Sequence, residues 1–169
     1  MKIAVIGSIN MDMTLSAPRI PLKGETILGD SIAYAPGGKG ANQAVAIARQ
    51  GCEVWMFGCV GDDANGQILL KGLEDNGVHT EYVRMVKDVP SGLAVITVGE
   101  SDNCIVVIPG ANKLVDIPYI QEMLPVLLTF DAVVIQLEIP LPTVEFVAQS
   151  CYFHRIPVFL NPAPAAAIP

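Results

Sequence analysis

Charged residues are scarce in this sequence, and runs of basic residues are absent from it. Charged residues make up 16% of the 169 positions, and the formal net charge is −7. Proteins that bind nucleic acids concentrate Lys and Arg on one surface. An acidic chain without a basic run therefore predicts no nucleic-acid partner.

Paired cysteines are missing as well. The cysteines are Cys52, Cys59, Cys104 and Cys151, which stand far apart and form no Cys-x-x-Cys pair. A zinc site needs close spacing, and a disulfide framework is typical of small secreted chains. We therefore expect neither, and we interpret the cysteines as small buried thiols.

Hydrophobic runs long enough to span a membrane are also absent, although the composition is apolar. Hydrophobic residues make up 51% of the chain, and the mean hydropathy is +0.48. A transmembrane helix needs roughly 18 consecutive apolar residues, whereas the apolar runs here are short and cut by Gly, Pro and Asp. The first residues, MKIAVIGSIN, lack the long apolar segment and cleavage site of a signal peptide. We expect a cytoplasmic protein with no membrane partner.

Short apolar runs alternate along the chain with segments of helical spacing. Unbroken runs predict strands buried on both faces, as in parallel sheets, at residues 2–7, 53–60, 132–137 and 158–160. Apolar residues three or four positions apart predict helices at residues 39–50, 119–128 and 143–153. Asp62 or Asp63 would cap a further helix that ends at Gly77. This alternation predicts an α/β fold with a mainly parallel sheet.

Four further strands do not fit inside such a sheet. Met11, Met13 and Leu15 alternate with polar residues, and this period of two predicts a strand with one apolar and one polar face. The letters ESDN between the last two of these strands predict a β-hairpin. We expect a small separate sheet, a lid over the edge of the parallel one, from strands near residues 10–16, 31–35, 92–98 and 104–109.

Polar side chains follow the apolar runs where the predicted strands end. Asn10 and Asp12 come soon after the first run, and Glu138 directly follows the run that ends at Leu137. Ligands of open parallel sheets bind beyond the carboxyl ends of the strands, so these side chains are expected at one rim. Carboxylate and amide oxygens accept hydrogen bonds from hydroxyl groups. The rim therefore suits a polyol such as a sugar.

The segment APGGKGANQ, residues 35–43, is a glycine-rich turn that leads into a helix. It does not fit the Walker pattern, because Ala33 stands where the first glycine is needed and Gly40 stands where Ser or Thr is needed. It does not fit Gly-x-Gly-x-x-Gly either, because position 43 is Gln. The sequence therefore lacks both common nucleotide fingerprints here.

What remains is a glycine turn at the start of a helix. Bare backbone at Gly38 and Gly40 would let a ligand approach closely, and the first turn of a helix offers free N–H groups. Lys39 can donate hydrogen bonds, and Asn42 can both donate and accept them. We interpret the segment as a clamp for hydroxyl groups rather than a cradle for a triphosphate.

Each of these residues also has a structural interpretation. Asp12 could be a solvated residue on an edge strand, Lys39 could point into water, and Glu138 could cap the turn that follows it. Asp62 and Asp63 are interpreted as helix caps rather than ligands. The sugar-site hypothesis depends on the joint placement of Asn10, Asp12, Lys39, Asn42 and Glu138.

Six short motifs resemble those of the PfkB family of carbohydrate kinases. In chain order they are GSINMD (7–12), GGKGANQAVA (37–46), GDDANG (61–66), IPGAN (108–112), QLE (136–138) and NPAPA (161–165). The glycine–lysine block is similar to the first signature of that family. The resemblance runs along the whole chain.

This resemblance implies a Rossmann-like parallel sheet flanked by helices, with a β-sheet lid, and a homodimer in which two lids interlock. It implies a kinase that transfers the γ-phosphoryl group of ATP to the 5-hydroxyl of D-ribose, with Mg²⁺ and a monovalent cation such as K⁺. The sugar-binding residues that it implies are Asn10 and Asp12 on a lid strand, the clamp residues Gly38, Lys39, Gly40 and Asn42, and Glu138.

The second signature of the family does not occur in this sequence. That signature is a Gly-Ala-Gly-Asp-like loop, which holds the catalytic base and an anion hole in the C-terminal half of the family's members. The Asn-x-x-Glu motif linked to magnesium and the adenine pocket lie in that half too. Residues 1–169 are therefore expected to be the N-terminal part of one such domain, cut after an apolar strand.

We expect the isolated chain to be inactive, because phosphoryl transfer requires positioning and charge stabilisation that these residues do not supply. We also expect it to bind no ATP or metal by itself, and to associate or be poorly stable because apolar surface is uncovered. A non-catalytic sugar-binding or regulatory module of the same fold is the open alternative. A nucleotide-binding Rossmann domain is disfavoured, because neither glycine fingerprint fits.

Overall fold

The computed structural model describes residues 1–167. Its strands are β1 (Lys2–Ile6), β2 (Asn10–Ser16), β3 (Ser31–Gly37), β4 (Glu53–Gly61), β5 (Val78–Val86), β6 (Gly92–Gly99), β7 (Asp102–Ile108), β8 (Ala132–Gln136) and β9 (Val158–Asn161). Its helices are α1 (Lys39–Ala48), α2 (Ala64–Asp75), α3 (Ile117–Leu127) and α4 (Leu141–Phe153), with a short 3-10 helix at Gly110–Leu114.

Five of the strands form a parallel sheet in the order β5-β4-β1-β8-β9. The central strand β1 is deeply buried, and Ala4, Val5 and Ile6 have no exposed surface. Because successive side chains of a strand point to opposite faces, Ala4 and Ile6 pack with α3 and α4, whereas Val5 packs with α1 and α2. The predicted α/β fold with helices on both faces of a parallel sheet is confirmed.

The other four strands form a second sheet in the order β3-β2-β6-β7. Strand β2 pairs in parallel with β6 and antiparallel with β3, while β6 and β7 form an antiparallel hairpin. At the tip of this hairpin Glu100 and Ser101 have φ values of 53° and 63°, as a two-residue type I′ turn requires. The hairpin and the separate small sheet that the alternating patterns predict are both present, and β3 extends two residues further than expected.

Strand β5 is not predicted by the sequence patterns. It lies at the edge of the parallel sheet and pairs there with β4. Polar side chains such as His79, Glu81 and Arg84 interrupt its apolar residues, so it lacks the unbroken run of a central strand. Edge strands face solvent along one side and commonly carry charged residues. The position of β5 in the sheet therefore explains why its pattern was missed.

Aspartate side chains begin two of the helices. The Asp63 carboxylate accepts a hydrogen bond from the Gly66 N–H at 2.7 Å, and Asp116 accepts one from the Tyr119 N–H at 2.9 Å. Asp63 rather than Asp62 is therefore the cap of α2. Helices α3 and α4 start two residues earlier than predicted, and each carries a proline in its first turn, where proline is well tolerated. No helix within residues 1–167 is long and apolar enough to cross a membrane.

The cysteines differ in burial. Cys59 and Cys151 are buried, and burial raises the pKa of Cys59 to about 12 and the pKa of Cys151 to about 11. Cys52 is half-buried and Cys104 is exposed, so the expectation of four buried thiols is wrong for these two. Cys104 lies on β7, an edge strand of the second sheet whose residues are all exposed.

The turn between β3 and α1 packs directly against the link between β1 and β2. Gly38 has a φ of 92°, and a Cβ atom there would lie 2.8 Å from the backbone N of Asn10 and from the backbone O of Ser8. A Cβ atom at Gly40 would lie 2.7 Å from the backbone of Gly7 and Ser8. Glycine is required at both positions because a side chain would collide with the neighbouring backbone. This contact holds the start of α1 against the carboxyl end of β1.

Gly40→Ala is expected to lower the free energy of unfolding by about 1–3 kcal/mol, the range for an overpacked site. The atoms it would strike belong to the backbone and cannot rotate away. Gly72→Ala is the matched control, since it also lies in a helix and its Cβ would meet the Pro36 side chain at an ordinary 3.4 Å. Chemical denaturation of both variants measures the difference, and a Gly40→Ala protein as stable as wild type would contradict the packing argument.

Candidate functional site

A cavity of about 590 Å³ lies between the second sheet and the carboxyl end of β8. Ile105 and Val107 of β7 line it, together with Lys39 at the start of α1 and Glu138 just after β8. Asn112 of the 3-10 helix also contributes to its wall. An apolar wall with a few convergent polar groups is typical of a small-molecule site. The cavity thus opens at the rim where the sequence predicts sugar binding.

Glu138 joins three segments that are distant in sequence. Its Oε2 atom accepts hydrogen bonds from the Ser8 hydroxyl and, at 3.1 Å, from the backbone N–H of Lys39. The Ser8 hydroxyl in turn accepts a hydrogen bond from the Gly40 N–H at 3.3 Å. Helix α1 has no cap from its own N-terminal side chain, because that residue is Gly38. Glu138 and Ser8 therefore cap α1 although neither belongs to the helix. The negative charge of Glu138 also interacts favourably with the positive, N-terminal end of the helix dipole.

The side chains of Lys39 and Glu138 form an ion pair across the cavity wall. Lys39 Nζ lies 3.8 Å from Glu138 Oε1, and the side chains are 37% and 13% exposed. A lysine beside a carboxylate at a partly open cavity can donate hydrogen bonds to a ligand while its charge is balanced. Lys39 therefore faces Glu138, and Glu138 caps the start of α1. Their contact with a sugar stays a prediction.

Asp12 on β2 lies close to this ion pair. The pKa of its carboxyl group is raised, first by burial and second by the negative charge of Glu138, while Lys39 opposes the shift. A Cβ atom at Gly37 would lie 2.2 Å from the Asp12 carboxylate, so a bare backbone also makes room for Asp12. Asp12 is thus a half-buried acceptor in a crowded site, not a solvated residue on an edge strand.

Asn10 is almost fully buried at the start of β2. It is 2% exposed, and its Oδ1 atom accepts a hydrogen bond from Asn112 Nδ2 at 2.7 Å. Asn112 itself lines the cavity. Asn10, Asp12, Lys39 and Glu138 are therefore brought together, and we call these four residues the rim cluster.

Asn42 is placed differently from the rim cluster. It is exposed and lines a second depression of about 350 Å³ with Gly37, Arg49 and Asn76. It lies one helical turn beyond Gly38, and its backbone N–H donates to the Gly38 carbonyl oxygen at 2.9 Å. The structure therefore brings Lys39 of the glycine segment into the cavity wall and places Asn42 in the second depression.

Three buried polar residues near the rim cluster were not predicted as site residues. Ser8 and Gln136 have no exposed surface, and Asn112 is 1% exposed. Ser8 holds Glu138, Asn112 holds Asn10, and Gln136 donates from Nε2 to Gln43 Oε1 on α1 at 2.5 Å. All three lie inside the motifs GSINMD, IPGAN and QLE, so the signal was present in the sequence. Their role in holding other side chains depends on contacts between distant segments.

The described residues do not offer a site that fits a metal ion. Within residues 1–167, no group of three or more His, Cys, Asp or Glu side chains is arranged to hold one. The carboxylates of the rim cluster are Asp12 and Glu138, and Glu138 is already engaged by Ser8 and Lys39. We therefore derive no step through a metal ion bound by these residues.

A parallel sheet with helices on both faces, a second sheet and polar side chains gathered at the rim agree with one family of sugar-phosphorylating proteins. Residues 1–168 match the pfkB family of carbohydrate kinases. Because the match covers nearly the whole sequence, the chain belongs to that family, and the resemblance seen in the motifs is confirmed.

Several relatives are ribokinases. The chain is 48% identical over 163 residues to the ribokinase of Bacillus subtilis strain 168, a match that covers 96% of this chain and 56% of that protein. It is 40% identical over 166 residues to the deoxyribokinase of Salmonella typhi, covering 98% of this chain and 54% of that one. The structure of Arabidopsis thaliana ribokinase complexed with ribose and ATP matches with a TM-score of 0.83 at 32% identity, covering 95% of this chain and 53% of that one. The chain therefore spans about half the length of these relatives.

Asp12→Asn is expected to raise the free energy of unfolding at neutral pH. Because folding raises the pKa of Asp12, the ionised form is less stable in the folded protein, and stability falls as pH rises through the folded-state pKa. The asparagine side chain has nearly the same shape as aspartate but carries no charge, so the variant avoids the free-energy cost of the ionised Asp12. The gain should vanish below about pH 4, where the carboxyl is protonated in the unfolded chain as well.

Thermal or chemical denaturation from pH 3.5 to 8 measures this difference. Asp30→Asn is the matched control, since Asp30 is exposed and precedes β3, outside the rim cluster. An Asp12→Asn protein that is less stable than wild type at pH 7 would show that the carboxylate is stabilised by its surroundings.

Proposed function

We propose that this chain is the sugar-binding part of a kinase that transfers the γ-phosphoryl group of ATP to the 5-hydroxyl of D-ribose. The observation that carries the proposal is the rim cluster, in which three distant segments bring two carboxylates, a lysine and an amide together. Lys39 and Glu138 of this cluster line the cavity. Membership of the pfkB family supports the reaction class. The similarity to ribokinases, including one whose structure is described as complexed with ribose and ATP, supports ribose as the acceptor.

The rim cluster has the chemistry to bind a polyol. Asp12 and Glu138 offer carboxylate oxygens that accept hydrogen bonds from hydroxyl groups, and Lys39 and Asn10 offer donors. Hydrogen bonds to charged groups contribute more than neutral ones, about 1.5–3 kcal/mol each. Gly38 and Gly40 support the site by letting the backbone that carries Lys39 approach β1. Asn42 lines the second depression, so its contact with the sugar stays a prediction.

The transfer step needs groups that we do not assign to this chain. ATP, Mg²⁺ and a monovalent cation such as K⁺ would be bound by the complete protein, which would also supply the base for the 5-hydroxyl. The residues described here would bind and orient the sugar and exclude water from one side of it. Orientation alone makes a large contribution to such reactions.

We further propose that the complete protein is a cytoplasmic homodimer that pairs through the second sheet. Residues paired across strands point to the same face, and Tyr34, Met13, Val95 and Val106 are paired in this way. Tyr34 is 61% exposed and Val106 is 59% exposed, so this face presents apolar side chains. Asp12 lies on the opposite face, which leaves the sugar side free.

Ribose-dependent release of ADP tests the proposed reaction. The complete protein that contains this chain is expected to release ADP from ATP only when ribose, Mg²⁺ and K⁺ are present, whereas residues 1–169 alone are expected to release none. Release with deoxyribose or another pentose in place of ribose would correct the substrate. Sugar binding without any phosphoryl transfer by the complete protein would favour a non-catalytic binding module instead.

Asp12→Ala is expected to weaken ribose binding by about 1.5–3 kcal/mol, the scale of a hydrogen bond to a charged group. Titration calorimetry with ribose measures the change directly, and it does not require turnover. Asp30→Ala serves as the control, because it removes the same charge from an exposed position outside the cavity. Equal ribose affinity of wild type and Asp12→Ala would remove Asp12 from the sugar site.

A further inference from the structure

The side-chain amide of Asn112 is held at both ends by the backbone of Ile9. Asn112 Oδ1 accepts a hydrogen bond from the Ile9 N–H at 2.9 Å, and Asn112 Nδ2 donates one to the Ile9 carbonyl oxygen at 3.2 Å. A backbone N–H can only donate, and a backbone carbonyl can only accept. These two bonds therefore determine which end of the Asn112 amide is oxygen and which is nitrogen.

The orientation of Asn112 in turn determines that of Asn10. Asn112 Nδ2 also donates to the Asn10 carboxamide, at 2.7 Å from Oδ1. Because an amide NH₂ group does not accept hydrogen bonds, the end of Asn10 that faces Asn112 must be its oxygen. The Asn10 NH₂ group therefore points away from Asn112. Within residues 1–167, the buried polar side-chain atoms without a hydrogen-bond partner are Gln136 Oε1 and Thr143 Oγ1. The nitrogen of the Asn10 amide is not one of them.

Gly92 provides independent evidence that this amide pair is specifically accommodated. It stands opposite Asn10 in the pairing of β2 with β6. A Cβ atom there would lie 2.2 Å from Asn10 Oδ1 and 2.3 Å from Asn112 Nδ2. Any side chain at this position would occupy the space of the amide–amide hydrogen bond. The glycine thus makes room for the contact between the two asparagines.

We propose that Asn112 is a positioning residue that locks the Asn10 carboxamide, so that Asn10 presents its NH₂ group, a hydrogen-bond donor, to the sugar. The inference rests on the proposed function, in which Asn10 contacts the sugar. Asp12 lies two residues further along β2 and therefore on the same face, where it presents acceptors. The two side chains therefore select for opposite hydrogen-bonding properties. The Asn10 donor selects a sugar oxygen that accepts a hydrogen bond, and the Asp12 acceptors select a sugar hydroxyl that donates one.

The amide orientation can be tested without any sugar. In the complete protein, with asparagine and glycine selectively labelled, the Asn10 NH₂ protons are expected to give only a weak nuclear Overhauser effect (NOE) to the Gly92 Hα protons, because Oδ1 rather than Nδ2 faces Gly92. Asn112→Asp replaces the donor by an acceptor of the same shape. The Asn10 amide is then expected to rotate by about 180°, and the NOE between its NH₂ group and Gly92 should become strong.

Asn103→Asp is the matched control, because it makes the same chemical change at an exposed position on β7. It should leave the Asn10 signals unchanged. A strong NOE from the Asn10 NH₂ group to Gly92 in the wild type would overturn the proposed orientation. So would a folded Asn112→Asp protein in which the Asn10 pattern is unchanged. If Asn112→Asp does not fold, the wild-type NOE pattern decides the orientation.

Sugar analogues test whether Asn10 donates a hydrogen bond to the sugar. Calorimetry on the complete protein would compare monodeoxy with monodeoxyfluoro derivatives of ribose, since fluorine can accept a hydrogen bond but cannot donate one. At the position that faces Asn10, the fluoro derivative is expected to bind roughly 2- to 10-fold more tightly than the deoxy derivative, the scale of one neutral hydrogen bond. Asn10→Asp keeps an acceptor for Asn112 and turns the other oxygen toward the sugar, so this preference should disappear or reverse.

The outcomes separate the inference from the proposed function. If wild type binds ribose but Asn10→Asp keeps the preference for the fluoro derivative, the donor role of Asn10 is wrong and the proposed function stands. If wild type binds none of these sugars, the proposed function fails and the sugar-reading role of Asn10 fails with it. The NOE measurement still decides the amide lock in that case, because it needs no ligand.

Discussion

The candidate site depends on one close contact, between the backbone that follows β1 and the glycine turn that begins α1. The contact requires glycine at positions 38 and 40, because a side chain at either would strike the backbone of residues 7–10. Once it forms, the first N–H groups of α1 lie beside Ser8 and Glu138, which accept hydrogen bonds from them. Lys39 is then fixed next to Glu138. The helix start, the ion pair and the cavity wall therefore all follow from the same packing.

A second consequence concerns the placement of β2. This strand begins at Asn10, four residues after β1 ends at Ile6, yet it belongs to the other sheet. So short a link ties the second sheet to the carboxyl edge of the parallel one, which is where ligands of such sheets bind. Asn10 and Asp12 lie on β2 of the second sheet. Lys39 begins α1 and Glu138 follows β8 of the parallel sheet. A ligand between them would touch both, and any relative movement of the sheets would change the site.

Much of this arrangement could be predicted from local patterns, and the failures have physical causes. Strands β1, β4 and β8 are recognisable because buried parallel strands are apolar on both faces. Strand β5 escapes because it lies at an edge and carries charges. The rim cluster could be predicted from polar residues placed after strands. The roles of Ser8 and Asn112 could not, although both lie inside recognised motifs, since each holds a side chain about 100 or more positions away.

The sequence by itself determined the α/β alternation, the small second sheet, the glycine turn and the family to which the chain belongs, because each of these is written in neighbouring residues. The tertiary structure decided which polar groups meet. It half-buried Asp12 and placed it beside Glu138, and both effects raise the pKa of Asp12. It left Asn42 outside the rim cluster and placed Asn112 where its amide donates a hydrogen bond to Asn10 Oδ1. Such properties arise from hydrogen bonds and charges that act over a few ångströms between distant segments, so they exist only once the chain has folded.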